Sequence, residues 1–477
     1  MPQYAEGWRT RSSRVRTIGG GVPAVAGGAP RPGPGSPSSP SGLLAALNSF
    51  ARGLPWQGVA WSLPLVGLLV YIWSATTYSL PLGEPAMIAA LVGLLFLRAP
   101  MRVPGFLVLF ALFVVWGAVG LTSTSYPDSV VDRLDVLARV GLIALVLVNA
   151  VRTRTEQRLF MFVFLAAYAL YPVRGTIFNY VGGYTVFGRA LWNYIYANPN
   201  DLAALTLLQL SLALALLQRE PKGWPRLAAL AGIFVLPVVI LLTQSRGAII
   251  ALAVFALAAF AGHRRRGRAL VTLVAVAVAI GVFAPSSVWD RLGGLRNATD
   301  TEQLSRVDRE GSAEQRFEIW KVARAIFADH PVFGVGVGAY SSAHREYART
   351  GDFKETAGGK RDAHSTYLSL LAETGVVGFG LFVAMFGWVA LYARRVRRRA
   401  HALLPQAAQQ IRYLEIGLLA FFTAGIFASY AGLAFTYVHL ALLWSVVRST
   451  EEELALLDAG AVRVPIAARA RGLGARG

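Results

Sequence analysis

The sequence predicts an all-α polytopic membrane protein: about twelve transmembrane helices with one large extramembrane loop. Three observations carry this. The 477 residues are 55% hydrophobic, with a mean hydropathy of +0.50. Apolar runs long enough to cross a hydrocarbon core of about 30 Å recur between residues 57 and 448. The runs are continuous, and a continuous apolar run satisfies its backbone in lipid as a helix.

The elements follow in order. Residues 1–55 read as a disordered cytoplasmic tail, because they are rich in Pro, Gly, Ser and Arg and lack the apolar core of a signal peptide. Residues 56–284 hold nine predicted spans, at 57–78, 83–97, 104–121, 135–151, 159–173, 201–218, 227–243, 247–262 and 269–284. Residues 285–365 turn polar, with 12 basic and 12 acidic side chains, the balance of a folded loop domain. Residues 366–448 add spans at 366–392, 413–430 and 432–448. The stretch 449–477 opens on Glu451, Glu452 and Glu453, turns Arg-rich, and reads as a second cytoplasmic tail, solvated or touching lipid.

The net charge of +20 would suit a nucleic-acid binder, but its distribution excludes one. Basic residues occupy alternate connections: Arg98 and Arg102; Arg152, Arg154 and Arg158; Arg219, Lys222 and Arg226; Arg264 to Arg268; Arg394 to Arg399. The connections between them, 79–82, 122–132 and 431, are nearly free of Lys and Arg. This positive-inside pattern places both termini in the cytoplasm and the 285–365 loop outside, in the periplasm or its equivalent. The absence of cysteine removes disulfides and thiolate metal sites. No internal repeat is visible, which disfavours the repeat-built transporters.

An arginine at a membrane edge is expensive unless an anion meets it. Arg174, Arg189 and Arg246 fall at external helix ends. Arg246, in Thr243-Gln244-Ser245-Arg246-Gly247, lies between two hydrophobic helices with no acidic neighbour in sequence. Its planar fork of donors suits phosphate oxygens, and snorkelling to lipid headgroups accounts for it equally well. Asn200 or Asp201 is a candidate cap for the sixth helix. Trp192, Tyr194 and Tyr196 form either an interfacial belt or a sugar-stacking surface. In the loop, Ser312 to Asp329 reads as an amphipathic helix with Ser312 as N-cap, Phe317, Trp320 and Phe327 at near-helical spacing, and Arg316 on the face of Trp320. His330-Pro331 ends it. Gly334, Gly336 and Gly338 then fit a tight turn better than a phosphate loop. His364 stands where the chain re-enters the membrane, and an imidazole suits a base that takes a proton from a hydroxyl. Glu373 falls on the opposite helix face from His364, which favours packing or a cap-like hydrogen bond.

Together these pieces resemble the O-antigen ligase and polymerase superfamily of bacterial membrane glycosyltransferases. The match runs in order through Thr243-Gln244-Ser245-Arg246-Gly247, Arg316 with Trp320, His330-Pro331 with Gly334-Val335-Gly336, and His364-Ser365-Thr366-Tyr367-Leu368 with Leu371-Ala372-Glu373-Thr374-Gly375. It covers about 160–390. Ser365 departs from the pattern, since many relatives carry Asn there. The resemblance implies a GT-C-like fold in the bacterial inner membrane. It also implies an undecaprenyl-diphosphate-linked glycan donor and an acceptor such as lipid A–core, with transfer inverting and independent of metal or other cofactor. By the same pattern Arg246 and Arg316 bind the diphosphate leaving group and His364 activates the acceptor hydroxyl. Arg174, Arg189, Trp320 and Tyr367 are substrate-binding candidates. An O-antigen or exopolysaccharide polymerase, a protein O-glycosylating enzyme, and a polysaccharide exporter or flippase are the competing functions.

Overall fold

The structure is a computed structural model and describes residues 54–220, 222–261, 267 and 312–460. Among these residues the protein is all-α, with only an isolated bridge between Val186 and Arg189 outside helices and turns. The helices are α1 (Leu63–Thr77), α2 (Gly83–Leu95), α3 (Gly105–Val119), α4 (Pro127–Ala150), α5 (Arg154–Tyr168), α6 (Arg174–Val181) and α7 (Pro199–Arg219). They continue as α8 (Trp224–Leu242), α9 (Arg246–Ala261), α10 (Ser312–Asp329), α11 (Tyr340–Thr350), α12 (Thr366–Leu403), α13 (Pro405–Ala424) and α14 (Ala434–Asp458). Each predicted span within the described residues overlaps a helix. The ninth, 269–284, lies outside them, as do the first part of the polar loop and nearly all of the N-terminal tail. Among the described residues, five helical stretches are long and apolar enough to cross a membrane by length and composition.

Helix starts follow local chemistry. Proline enters in the first turn of α1, α4, α7, α8 and α13, where its missing N–H costs nothing. A capping box of Thr153 and Glu156 opens α5. The cap of α7 is Asn198, whose side chain accepts from the Asn200 N–H, so the expected Asn200 or Asp201 cap sits two or three residues too late. Helix α7 is apolar on every side and is buried by α8 and α13, as a central helix of a bundle must be.

Several boundaries differ from the sequence reading. The fifth span does not stop at 173: α5 passes through a π-type turn, Ala169–Val173, directly into α6, which makes one 28-residue stretch. Arg174 therefore lies inside a helix and not in an external connection. The apolar run 413–430 leaves the helix at Ala424, and Gly425–Leu433 forms a turn instead. That turn is tied to the start of α12: the Thr366 N–H donates to Gly425 O at 2.8 Å, and the Thr366 hydroxyl donates to Ala428 O at 2.8 Å and accepts from the Tyr430 N–H at 2.9 Å. The stretch read as the start of a tail is helical through Asp458. Its Glu452 and Glu453 pair at 2.7 Å with Arg102 and Arg219, so the Arg-rich connections and this helix end meet at one end of the bundle. In α10 the aliphatic side chains Ile319, Val322, Ala323 and Ile326 are buried, whereas Phe317 and Phe327 are only half-buried.

Helix α12 is broken at Gly375 (φ 63°, ψ −170°). A Cβ there would lie 2.0 Å from the Val332 carbonyl oxygen, because the turn after α10 presses against the break. The same turn is held by Val335 N–H to Ala372 O (2.9 Å), Gly336 N–H to Glu373 O (3.0 Å) and Val376 N–H to Pro331 O (2.8 Å). Gly334, Gly336 and Gly338 all have positive φ, the conformation of a tight turn. Gly375→Ala combines a left-handed backbone with this overlap and is expected to cost about 2 kcal/mol or more. Thermal unfolding in detergent checks it. Gly380→Ala on the same helix, where a Cβ meets open space, serves as the neutral control.

Candidate active site

The site is built on three separated pieces of chain. The first is the junction of α8 and α9. Gln244 takes φ 50°, which turns the chain so that Arg246 becomes the first residue of α9. A cation at a helix N-terminus opposes the helix dipole, whereas an anion at the same place is favoured. Arg246 thus stands against local preference at a position that attracts anions. Gly247 is required beside it: a Cβ would lie 2.9 Å from the Phe427 ring.

The second piece is the hairpin Val186–Arg189. Gln244 Nε2 donates to Gly188 O at 2.9 Å, Arg189 Nε donates to Thr243 O at 2.9 Å, and the Ala190 N–H donates to Leu242 O at 2.9 Å. Arg189 Nη2 also donates to Asn200 Oδ1 at 2.7 Å, and the Tyr430 hydroxyl donates to Asn200 O at 2.9 Å. The third piece is α10, which brings Arg316. Arg189, Arg246 and Arg316 line a single cleft of about 90 Å³ with Asn200, Gln244 and Tyr430. More than a hundred residues separate the first arginine from the last.

His364 lies beside Arg316, in the loop that leads into α12. It holds φ 47°, and both flanks are anchored. The Trp320 indole N–H donates to Ala363 O at 3.0 Å, and Thr366 is tied to the Gly425 turn. His364 Nδ1 stands 3.8 Å from Asp362 Oδ2, which leaves Nε2 for other partners. Burial holds the imidazole pKa below its ordinary value. The Asp362 carboxylate pulls it up, while Arg316, Arg361 and His344 add to the depression. At neutral pH the ring is therefore uncharged and able to accept a proton.

The structure brings Arg189, Arg246 and Arg316 together in one cleft, places His364 within electrostatic reach of Arg316 but not in the cleft lining, and leaves Arg174 elsewhere. Arg174 is exposed, with its guanidinium 5.2 Å from the ring of Phe178 one turn on, and it does not line the cleft. Trp320 and Tyr367 have their polar atoms engaged within the chain, on Ala363 O and on Phe422 O (2.8 Å) respectively. They support the His364 loop and the end of α13. Tyr196, one of the aromatic candidates, is fully buried, with its hydroxyl on Thr76 O. Glu373 behaves as a cap: its carboxylate accepts from the Gly338 and Tyr340 N–H groups at the start of α11. Sequence reasoning passed over Asp362 and Tyr430. The signal for Asp362 was its place two residues before the histidine. Tyr430 carried none, since it ends an apolar run.

Residues 228–383 match the family model described as O-antigen ligase. This segment is an O-antigen ligase family domain. Over this segment the match supports a likeness to the O-antigen ligase and polymerase superfamily, whose members are membrane glycosyltransferase-like enzymes. The O-antigen ligase segment contains Arg246, Arg316 and His364, whereas Arg189 and Asn200 come from the chain before it. No curated protein matches the chain.

Proposed function

We propose that the protein transfers a glycan from undecaprenyl diphosphate to an acceptor hydroxyl on the periplasmic face of a bacterial inner membrane. The acceptor is lipid A–core or a similar glycan. The observation that supports this is the convergence of Arg189, Arg246 and Arg316 on one cleft, with His364 within electrostatic reach of Arg316. Three guanidinium groups around one cleft suit a diphosphate, because each offers a planar fork of donors to its oxygens. The arginine-poor connections lie on the side of this cleft in the positive-inside reading, which puts both termini in the cytoplasm and about twelve helices across the membrane.

In this reading His364 Nε2 removes the proton of the acceptor hydroxyl as the oxygen attacks the anomeric carbon. The bond from that carbon to the diphosphate breaks, and the electron pair leaves with the lipid diphosphate. Arg246 and Arg316 offset the charge that develops there, and in-line attack inverts the anomeric centre. The Asp362 carboxylate, 3.8 Å from Nδ1, favours the protonated imidazole that forms as the proton is taken up. A polymerase would use the same donor half with a second lipid-linked glycan as acceptor. Purified protein with a synthetic undecaprenyl-diphosphate glycan and either acceptor, with and without chelator, tests the reading. Product on lipid A–core marks a ligase and a ladder on the lipid-linked glycan a polymerase. An intact donor with both acceptors sinks the proposal.

The charge environment of His364 has a pH consequence. Transfer needs the neutral ring, so kcat/KM falls as pH falls through the depressed pKa. Asp362→Asn removes the one carboxylate that raises that pKa, and the acid limb moves to lower pH. Arg316→Gln removes a cation that lowers it, and the limb moves to higher pH. Profiles that shift together, or not at all, would assign the limb to another group.

A further inference from the structure

A second cavity, of about 290 Å³, lies on the other side of the Gly425–Leu433 turn from the arginine cleft. Tyr430 lines the cleft, while Ser429, Ala431, Gly432 and Leu433 line this cavity, so one turn separates the two. Its polar side chains are Arg133, Ser341, Asp362, Ser369, Glu373 and Ser429, set against an apolar wall that includes Phe113. Nothing in the arginine cleft accounts for it.

The polar groups are built into place. Backbone N–H groups of Gly338 and Tyr340 hold the Glu373 carboxylate, and Arg133 acts on it electrostatically. Arg133 lies over Gly432 so closely that a Cβ there would fall 2.1 Å from its Nη1. The Ser429 hydroxyl oxygen is buried without a hydrogen-bond partner among the described residues. A buried hydroxyl left so is costly unless something supplied from outside pairs with it. Asp362 belongs to both places, since it lines the cavity and stands 3.8 Å from His364 Nδ1.

We propose that this cavity is the acceptor subsite, holding the terminal sugar ring that carries the attacking hydroxyl; this rests on the reading of His364 as the base. A pyranose presents hydroxyls around its rim and an apolar C–H face. Carboxylates accept from the hydroxyls, a guanidinium and serines donate to them, and an aromatic wall takes the face. Asp362 borders both the cavity and the His364 ring, so a sugar seated here lies next to the base, while the donor diphosphate sits across the turn on the arginines. The acceptor hydroxyl then attacks the anomeric carbon from the side opposite the diphosphate, as in-line displacement requires.

Two readouts test it on the full-length protein in nanodiscs. The first is binding of a dephosphorylated core oligosaccharide without donor. It is expected in the wild type and in Arg246→Ala, and weakened about tenfold or more in Arg133→Gln and Ser429→Leu, as loss of a hydrogen bond to a charged group or a filled cavity implies. The second is steady-state transfer, where the same two variants raise the acceptor KM and leave the donor KM within about twofold. Ser429→Leu leaves Arg133 and its electrostatic influence on Glu373 in place, so it reports on the cavity even where Arg133→Gln unfolds. Sugar binding that is absent in the wild type, unchanged in both cavity variants, or lost equally in Arg246→Ala would overturn the subsite. Failure of the transferase reading looks different: sugar binding stays dependent on Arg133 while no donor is consumed.

Discussion

His364→Ala is expected to lower glycan transfer by about 10²–10⁴-fold, the usual worth of a positioned general base, and to leave donor binding intact. The expectation follows from how much structure is devoted to this one ring. A non-glycine residue at φ 47° is held there by its neighbours: the Trp320 indole fixes Ala363, and Thr366 is locked to the Gly425 turn on the other flank. Burial keeps the imidazole neutral. A histidine serving only to pack would not need the Asp362 carboxylate 3.8 Å from its Nδ1. Transfer assays in membranes, with donor binding measured in parallel, separate the outcomes. Normal transfer by the Ala variant would end the general-base assignment.

Arg246→Ala is expected to reduce kcat by about 10²–10³-fold, comparable with removal of one preorganised donor to a developing anion. The Lys variant is the sharper test. Lysine snorkels to headgroups as readily as arginine, so Arg246→Lys retains activity if the residue merely meets lipid. It fails if the planar fork matters, because an ammonium cannot engage two phosphate oxygens side by side. The position of Arg246 at the start of α9, beside Arg189 and Arg316, favours failure. Steady-state kinetics of both variants against donor concentration decide it.

Much of this protein was readable along the chain. Apolar runs predicted helices because a span's length and hydropathy are local properties, and α10 was bounded at Ser312 and Asp329 by its pattern and by Pro331. Errors came where the local signal was silent about direction. Residues 425–430 are as apolar as the helix before them, yet they leave it because Thr366 supplies hydrogen bonds to Gly425 O, Ala428 O and the Tyr430 N–H. Arg174 resembled Arg189 in sequence context, but continuation of α5 through a π-type turn carries it out onto Phe178.

The sequence by itself determined the apolar helices and the segregation of basic connections, and it carried the resemblance in which Arg246, Arg316 and His364 stand as candidates. Only the tertiary structure decided that Arg189 joins two of them in one cleft, that Asp362 stands between His364 and a second cavity, and that Arg133 faces that cavity. Composition and periodicity report on neighbours within a turn or two of helix. Which side chains meet across more than a hundred residues is set by how α7, α9, α10 and α12 pack together, and no local pattern records that.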